Sequence, residues 1–197
     1  MIILISCVPF ASAKNASAES GAYDFIKDVS GMSEKKIRKK FKDAGYEECE
    51  NVIYYVSISE CDDGELEQSV LESIEKEYGI YDLDYICIDK TSHWGFEIKL
   101  NFENYDDVNV KNLCNDFYNS VSADYGEPDV KKTKGASRNG YKLTSDYFTY
   151  TWRINGLADE TTEYIQLVID TEAFVNFIGG VQTKEVNIYY YDKTRRF

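Results

Sequence analysis

Imidazoles, thiols and clustered carboxylates carry most protein chemistry, and in this chain each is scarce or awkwardly spaced. His93 is the single histidine. Neither a serine-centred nucleophile motif nor a spaced acid accompanies it, so its expected place is the polar side of a strand. Glycine-rich phosphate loops are absent from the sequence. Asp62-Asp63-Glu65 and Asp159-Glu160-Glu163 are acidic enough to attract Ca²⁺, yet neither has the spacing of an EF-hand loop. CxxC pairs and Cys/His clusters, the donors of a zinc site, are missing too. Thirty-five acids leave room for a glycosidase-like carboxylate pair, but nothing in the sequence locates one. No catalytic, cofactor-binding or metal-binding residue is assigned, and no cofactor is expected.

The thiols lead back to the start of the chain. Met1 to Phe10 (MIILISCVPF) is an apolar run too short to span a bilayer, and Ala11-Ser12-Ala13 before Lys14 supplies the small residues of a cleavage site. Residues 1–13 thus read as a signal peptide, although no positive charge precedes the run. Leu4-Ile5-Ser6-Cys7 offers a second reading, a bacterial lipobox with Cys7 as the lipidated residue. Both readings place the protein outside the cytoplasm, secreted or on the cell surface. Cys49, Cys61, Cys87 and Cys114 remain, an even number in an export setting that suits disulfides. Cys49 and Cys61 bracket the strand-like run Val52 to Ser59, which would hold them roughly 25 Å apart, beyond bonding reach. Against any bridging, Cys87 in an apolar strand and Cys114 on an apolar helix face also fit as plain buried thiols.

Two stretches have the composition of contact surfaces. Lys131, Lys132, Lys134, Arg138 and Lys142 make the densest positive run of the second half, suited to an acidic partner or a phosphate-bearing wall polymer, or simply to a solvated loop. Phe174, Phe177 and Ile178 lie in an apolar segment, Ala173 to Gly180, where polar residues would be expected between strands; it reads as a short helix closing the core or as an exposed hydrophobic contact. The net charge of −13 argues against nucleic acid and anionic lipid, because both are recognised mainly by cations. Tyrosine, at 17 residues, is explained by base composition as readily as by a sugar-stacking surface.

The elements that would position these residues are easier to read. Val110, Leu113, Cys114, Phe117 and Val121 form one stripe of a helix within Asn109 to Asp129, with Asp106, Asp107 or Asn109 as cap and Gly126 and Pro128 as stop. Tyr23 to Val29 is a short helix. Glu34 to Ala44, capped by Ser33, buries Ile37 and Phe41 and turns a basic face, including Lys35, Lys36, Lys39 and Lys40, to solvent. Leu66, Val70, Ile74 and Tyr78 mark a further helix ending at Gly79. Strands are expected at Val52 to Ser59, Asp84 to Asp89, His93 to Glu103, Tyr147 to Ile154, Tyr164 to Asp170 and Glu185 to Tyr191. In the third of these, Trp94, Phe96, Ile98, Leu100 and Phe102 alternate with polar residues, as in an antiparallel strand with one wet side. Val130 to Asp146 reads as a loop or loose hairpin. The pattern predicts an α+β fold: antiparallel sheet with amphipathic helices packed on one face.

Domain organisation follows. A linker covers residues 14–21, one domain covers 22–192, and a basic tail covers 193–197. A shift of 47 residues lays Tyr78-Gly79 on Tyr125-Gly126 and Ile74 on Val121, an echo consistent with a duplicated helix-plus-sheet unit in halves 22–103 and 104–192. Gly31-Met32-Ser33 opening a helix that ends in Gly45-Tyr46, and Tyr125-Gly126-Glu127-Pro128 ahead of a Trp-bearing strand meander, resemble the small exported modules typified by the β-lactamase inhibitory protein and the BamE-like lipoproteins. The first helix lacks the Gly-x-Pro ending usual in the BamE-like group. What the resemblance implies is a role in binding another protein or a wall component; no functional residue carries over. The expectation is an exported, non-catalytic binding or inhibitor-like module, monomeric or weakly oligomeric, its partner a protein or cell-envelope component. A cell-wall glycan binder is the alternative, and a hydrolase with an unlocated carboxylate pair comes third.

Overall fold

The computed structural model describes residues 21–42, 52–57, 64–91, 95–102, 107–135, 137–138, 141–142, 146–156, 161–170, 174–175, 181–182 and 184–195. The helices are α1 (Gly21–Ser30), α2 (Glu34–Lys42), α3 (Gly64–Tyr78) and α4 (Val108–Tyr125). The strands are β1 (Val52–Ser57), β2 (Leu83–Thr91), β3 (Gly95–Phe102), β4 (Asp129–Thr133), β5 (Ser137–Arg138), β6 (Tyr141–Lys142), β7 (Tyr147–Asn155), β8 (Glu163–Asp170), β9 (Phe174–Val175), β10 (Val181–Gln182) and β11 (Val186–Asp192). Seven of them form one sheet in the order β1-β2-β3-β11-β8-β7-β4, with every pairing antiparallel. The fold is α+β. The last long strand, β11, lies in the middle of the sheet between β3 and β8, so the two halves of the chain share one sheet and one core.

Register explains which face is buried. Ile88, Ile98, Tyr190, Ile165 and Trp152 stand opposite one another across five strands, and the next row is Ile86, Leu100, Ile188, Leu167 and Tyr150. Nearly all of these side chains are fully buried, because residues two apart on every strand point to the same face. The helices cover that face. α1 packs on β3 and between α3 and α4, α3 lies over β1 and β2, α4 over β7, and α2 against β1. The α4 stripe is Val110, Cys114, Phe117 and Val121, all buried, with Leu113 half-buried against the core. Asp107 caps the first turn by accepting from the Asn109 amide at 2.6 Å, and Gly126, at φ +80°, ends the helix. Phe117 links the layers edge-to-face, meeting Tyr23 of α1 and Trp152 of β7 with centroids 6.1 Å away in each case. Trp152 donates its indole N–H to Ser122 Oγ at 3.1 Å, which settles the polar end of a buried ring.

Several expectations change. Of the two forms expected for Val130 to Asp146, a loop or a loose hairpin, the chain takes the hairpin, and it begins as an edge strand that the sequence did not mark: β4 pairs with β7 from Asp129↔Thr151 to Thr133↔Tyr147, with further pairs at Ser137↔Lys142 and Arg138↔Tyr141. Its lysines hide the strand from a reading of hydrophobic alternation, since an edge strand needs little buried surface and uses charge to discourage further pairing. Phe174–Val175 is not helical but pairs with Val181–Gln182; Phe177 and Ile178 lie outside the described residues. Lys40 is not part of a solvated face. It is half-buried and donates to Glu77 Oε1 at 2.7 Å, Tyr78 Oη at 2.8 Å and Asp28 Oδ2 at 3.4 Å, tying α2 to α1 and α3. Asn101, on the side of β3 expected to be wet, is 1% exposed. The end of the chain is also engaged: Arg195 lies over the Phe96 ring, 4.2 Å from its centroid, and donates to the Ser30 carbonyl at the end of α1.

Candidate functional site: the tyrosine face of the sheet

Alternation that buries one set of strand residues presents the other set on the opposite face, and no described helix packs there. Three rows cross it. Cys87, Lys99, Tyr189, Gln166, Thr151 and Asp129 form the first. Tyr85, Asn101, Asn187, Val168, Thr149 and Lys131 form the second. Glu97, Tyr191, Tyr164 and Arg153 form the third. Tyr85, Tyr164, Tyr189 and Tyr191 stand in these rows, each half-buried, and Tyr147 lies on the same side opposite Asp170, interleaved with amides, hydroxyls and charges of both signs.

These groups hold one another in place. The Tyr164 and Tyr191 rings are stacked, their planes 3° apart and their centroids separated by 5.2 Å. The Lys99 ammonium lies over two rings, 4.6 Å from the centroid of Tyr85 and 5.6 Å from that of Tyr189, and donates to the Tyr85 hydroxyl. Burial lowers its pKa, while Glu185 opposes that shift. Burial likewise pushes the Tyr189 hydroxyl up to about 12, reinforced by Glu97 and Glu185, and raises Tyr164, with Glu97 as a further cause. Asn101 donates to Asn187 Oδ1 at 2.8 Å and to Glu185 Oε2 at 3.4 Å, so the amide buried in this face is paired. Gln166 donates to Thr151 Oγ1 at 3.1 Å, and Arg153 pairs with Asp129 at the edge. The face thus combines fixed aromatic rings with hydrogen-bonding groups set between them.

The residues singled out from sequence fall elsewhere. Lys131, Lys132 and Lys134 are exposed, on or just beyond β4. Lys131 stands on the tyrosine side, whereas Lys132 lies over the Phe148 ring, 5.1 Å from its centroid, on the helical side. Arg138 and Lys142 belong to the short ribbon that continues from β4 and β7, so the structure does bring the five cations onto one hairpin. Between Asp129 and Asp146 they outnumber acids to give a local +3 in a chain of −13. Phe174 is placed only by its strand pairing. Cys87 and Cys114 occupy opposite faces, Cys87 among the tyrosines and Cys114 on the buried side of α4, so they are not partners of each other. Cys49, Cys61, His93, Asp62, Asp63, Asp159 and Glu160 lie outside the described residues. Glu163, from the second acidic cluster, accepts from Tyr190 Oη at 2.7 Å and from the Asn155 amide. Among the described residues, no three His, Cys, Asp or Glu side chains are grouped to hold a metal ion.

The tyrosine face was the residue set least visible in the sequence. Its signal was present: Asn187, Tyr189 and Tyr191 alternate with Val186, Ile188 and Tyr190, of which the latter three are buried. What alternation does not tell is which face the helices take.

A concavity lies on the other side of the sheet. It measures about 270 Å³ and opens between α4 and the strands β7 and β8. Leu167 and Ile169 form its floor, Tyr150 and Tyr118 its walls, and Cys114 its roof, with the exposed Asn115 and Asn119 at the mouth. Tyr118 and Tyr150 meet edge-to-face at 5.8 Å. Burial pushes the Cys114 thiol up to about 12, leaving it protonated at neutral pH.

No protein-family model matches the chain, and no curated protein matches it. No described helix is long and apolar enough to cross a membrane.

Proposed function

We propose that the chain is an exported, non-catalytic binding module whose contact surface is the tyrosine-bearing face of its sheet, and that the partner is a protein. The observation that carries this reading is the set Tyr85, Tyr164, Tyr189 and Tyr191 on the side no described helix covers, with Lys99 held over Tyr85 and Tyr189, Tyr164 stacked on Tyr191, and Asn187, Gln166 and Thr151 beside them. Tyrosine supplies broad, rigid contact area with little side-chain entropy to lose and keeps a polar tip for hydrogen bonding. Charges of both signs at the rim, Glu97 and Arg153 among them, supply specificity and register more than affinity. The glycan-binding reading is favoured by one observation, the stacked Tyr164 and Tyr191 rings, whose outer faces are aromatic surface of the kind on which a sugar ring rests.

Immobilised full chain, challenged with cell-envelope and secreted fractions, separates the two. A saturable protein partner, lost from the Tyr164→Ser/Tyr191→Ser variant and retained by Tyr81→Ser, supports the proposal, since Tyr81 is exposed in the connection between α3 and β2. Retention of polysaccharide with no protein partner replaces it by the glycan reading. Capture that survives loss of both stacked rings removes the sheet face from consideration.

A further inference from the structure

The concavity beneath α4 is independent of the tyrosine face, because the sheet lies between them. Its origin is visible in the α4 stripe. Three of the four fully buried stripe positions carry Val110, Phe117 and Val121, but the fourth carries Cys114, a small side chain directly above Leu167 and Ile169. A void in a core normally closes by relaxation of its neighbours. Here Tyr118 and Tyr150 are braced against each other, and the Tyr118 hydroxyl is anchored on Glu127 Oε2 at 2.6 Å, so the walls are fixed and the space stays open to one side.

The lining states what would occupy it. All seven residues are uncharged, the floor is aliphatic, the walls are ring surfaces, and two carboxamides stand at the mouth. A charged group would lose its hydration there with no opposite charge to meet it. Benzene fills a cavity of about 150 Å³, so about 270 Å³ accommodates roughly ten non-hydrogen atoms. We propose that this concavity is a binding site for a small neutral amphiphile, an aromatic or short-chain molecule whose apolar body rests on Leu167, Ile169 and Cys114 while a hydroxyl or amide end meets Asn115 and Asn119. The site joins apolar walls to a few polar groups that fix orientation, as small-molecule sites generally do.

The test uses the full chain and 4-methylbenzyl alcohol as probe, with 4-methylbenzoate as its charged counterpart of nearly the same shape. Titration followed by methyl and side-chain amide NMR should give saturable shifts at Leu167, Ile169, Asn115 and Asn119. The benzoate should bind about tenfold more weakly or worse. The probe should also slow modification of Cys114 by methyl methanethiosulfonate, with Cys87, on the opposite face of the sheet, as internal control. Cys114→Met should fill the space and weaken the alcohol about tenfold. If that variant does not fold, Asn115→Ala/Asn119→Ala, which alters only exposed positions, should weaken it in the same direction. Shifts that never saturate, equal affinity for alcohol and benzoate, or equal protection of Cys87 and Cys114 would each overturn the proposal.

Discussion

Single side chains decide whether the layers of this molecule stay joined, and Phe117 is the clearest case. It is fully buried and makes edge-to-face contact with a helix on one side and a strand on the other. Phe117→Ala leaves a cavity at the junction of α1, α4 and β7, and should lower unfolding free energy by about 3–5 kcal/mol in a denaturant titration. A near-neutral result would mean that the junction collapses around the gap. Phe117 was legible from spacing alone, since a stripe at helical intervals names its own buried positions. The Lys40 cluster was not. Its place in a basic run suggested solvent, and only the approach of α1 and α3 brings Asp28, Glu77 and Tyr78 within reach.

Elements were legible to the extent that each declares a face. α4 does so through period, cap and a glycine stop, and β3 through unbroken alternation. β4 does not, because its exposed lysines leave no apolar face to read. Their position at the sheet edge makes a specific claim: Lys131→Val/Lys132→Val should leave the fold intact but drive self-association, seen as a concentration-dependent mass increase in light scattering. A variant that stays monomeric would show that the lysines do not guard the edge. β3 depends on a different device. Gly95 has φ +94°, and a Cβ there would lie 2.3 Å from the Asp192 carbonyl oxygen and 2.6 Å from Lys193 Cα. Gly95→Ala should therefore lower stability by more than about 2 kcal/mol in thermal or chemical denaturation, from strain and backbone displacement together. Full stability in that variant would mean that the end of β11 shifts freely.

On the scale of the whole molecule, the sheet order was beyond the sequence. Placing β11 between β3 and β8 joins segments separated by most of the second half of the chain, and no local pattern encodes that choice. Which face the described helices leave free was hidden for the same reason, so the tyrosines could not be assigned a role from their number. Their protonation gives a molecular-scale prediction. The Tyr118 and Tyr189 hydroxyls are both raised from 10.0 to about 12, chiefly by burial, and Tyr23 and Tyr190 are raised as well, again by burial first and then by hydrogen bonds to Asp124 and Glu163. The native state therefore holds these protons more tightly than the unfolded chain. Their contribution is fully present below about pH 10 and is lost progressively as pH rises toward 12 and above. Denaturation midpoints, corrected for the separate titration of lysines, should fall across that alkaline window. An unchanged midpoint would mean that the hydroxyls ionise as freely in the fold as in the unfolded chain.

The central claim is that recognition takes place on the tyrosine face, and hydroxyl-radical footprinting of the full chain with its captured partner addresses it most directly. Binding should remove most of the oxidation at Tyr85, Tyr164, Tyr189 and Tyr191, while Tyr81, exposed between α3 and β2, and Tyr125, exposed at the end of α4, keep theirs. Protection at Tyr81, Tyr125 or along β4 with the four sheet tyrosines still fully oxidised would contradict the account.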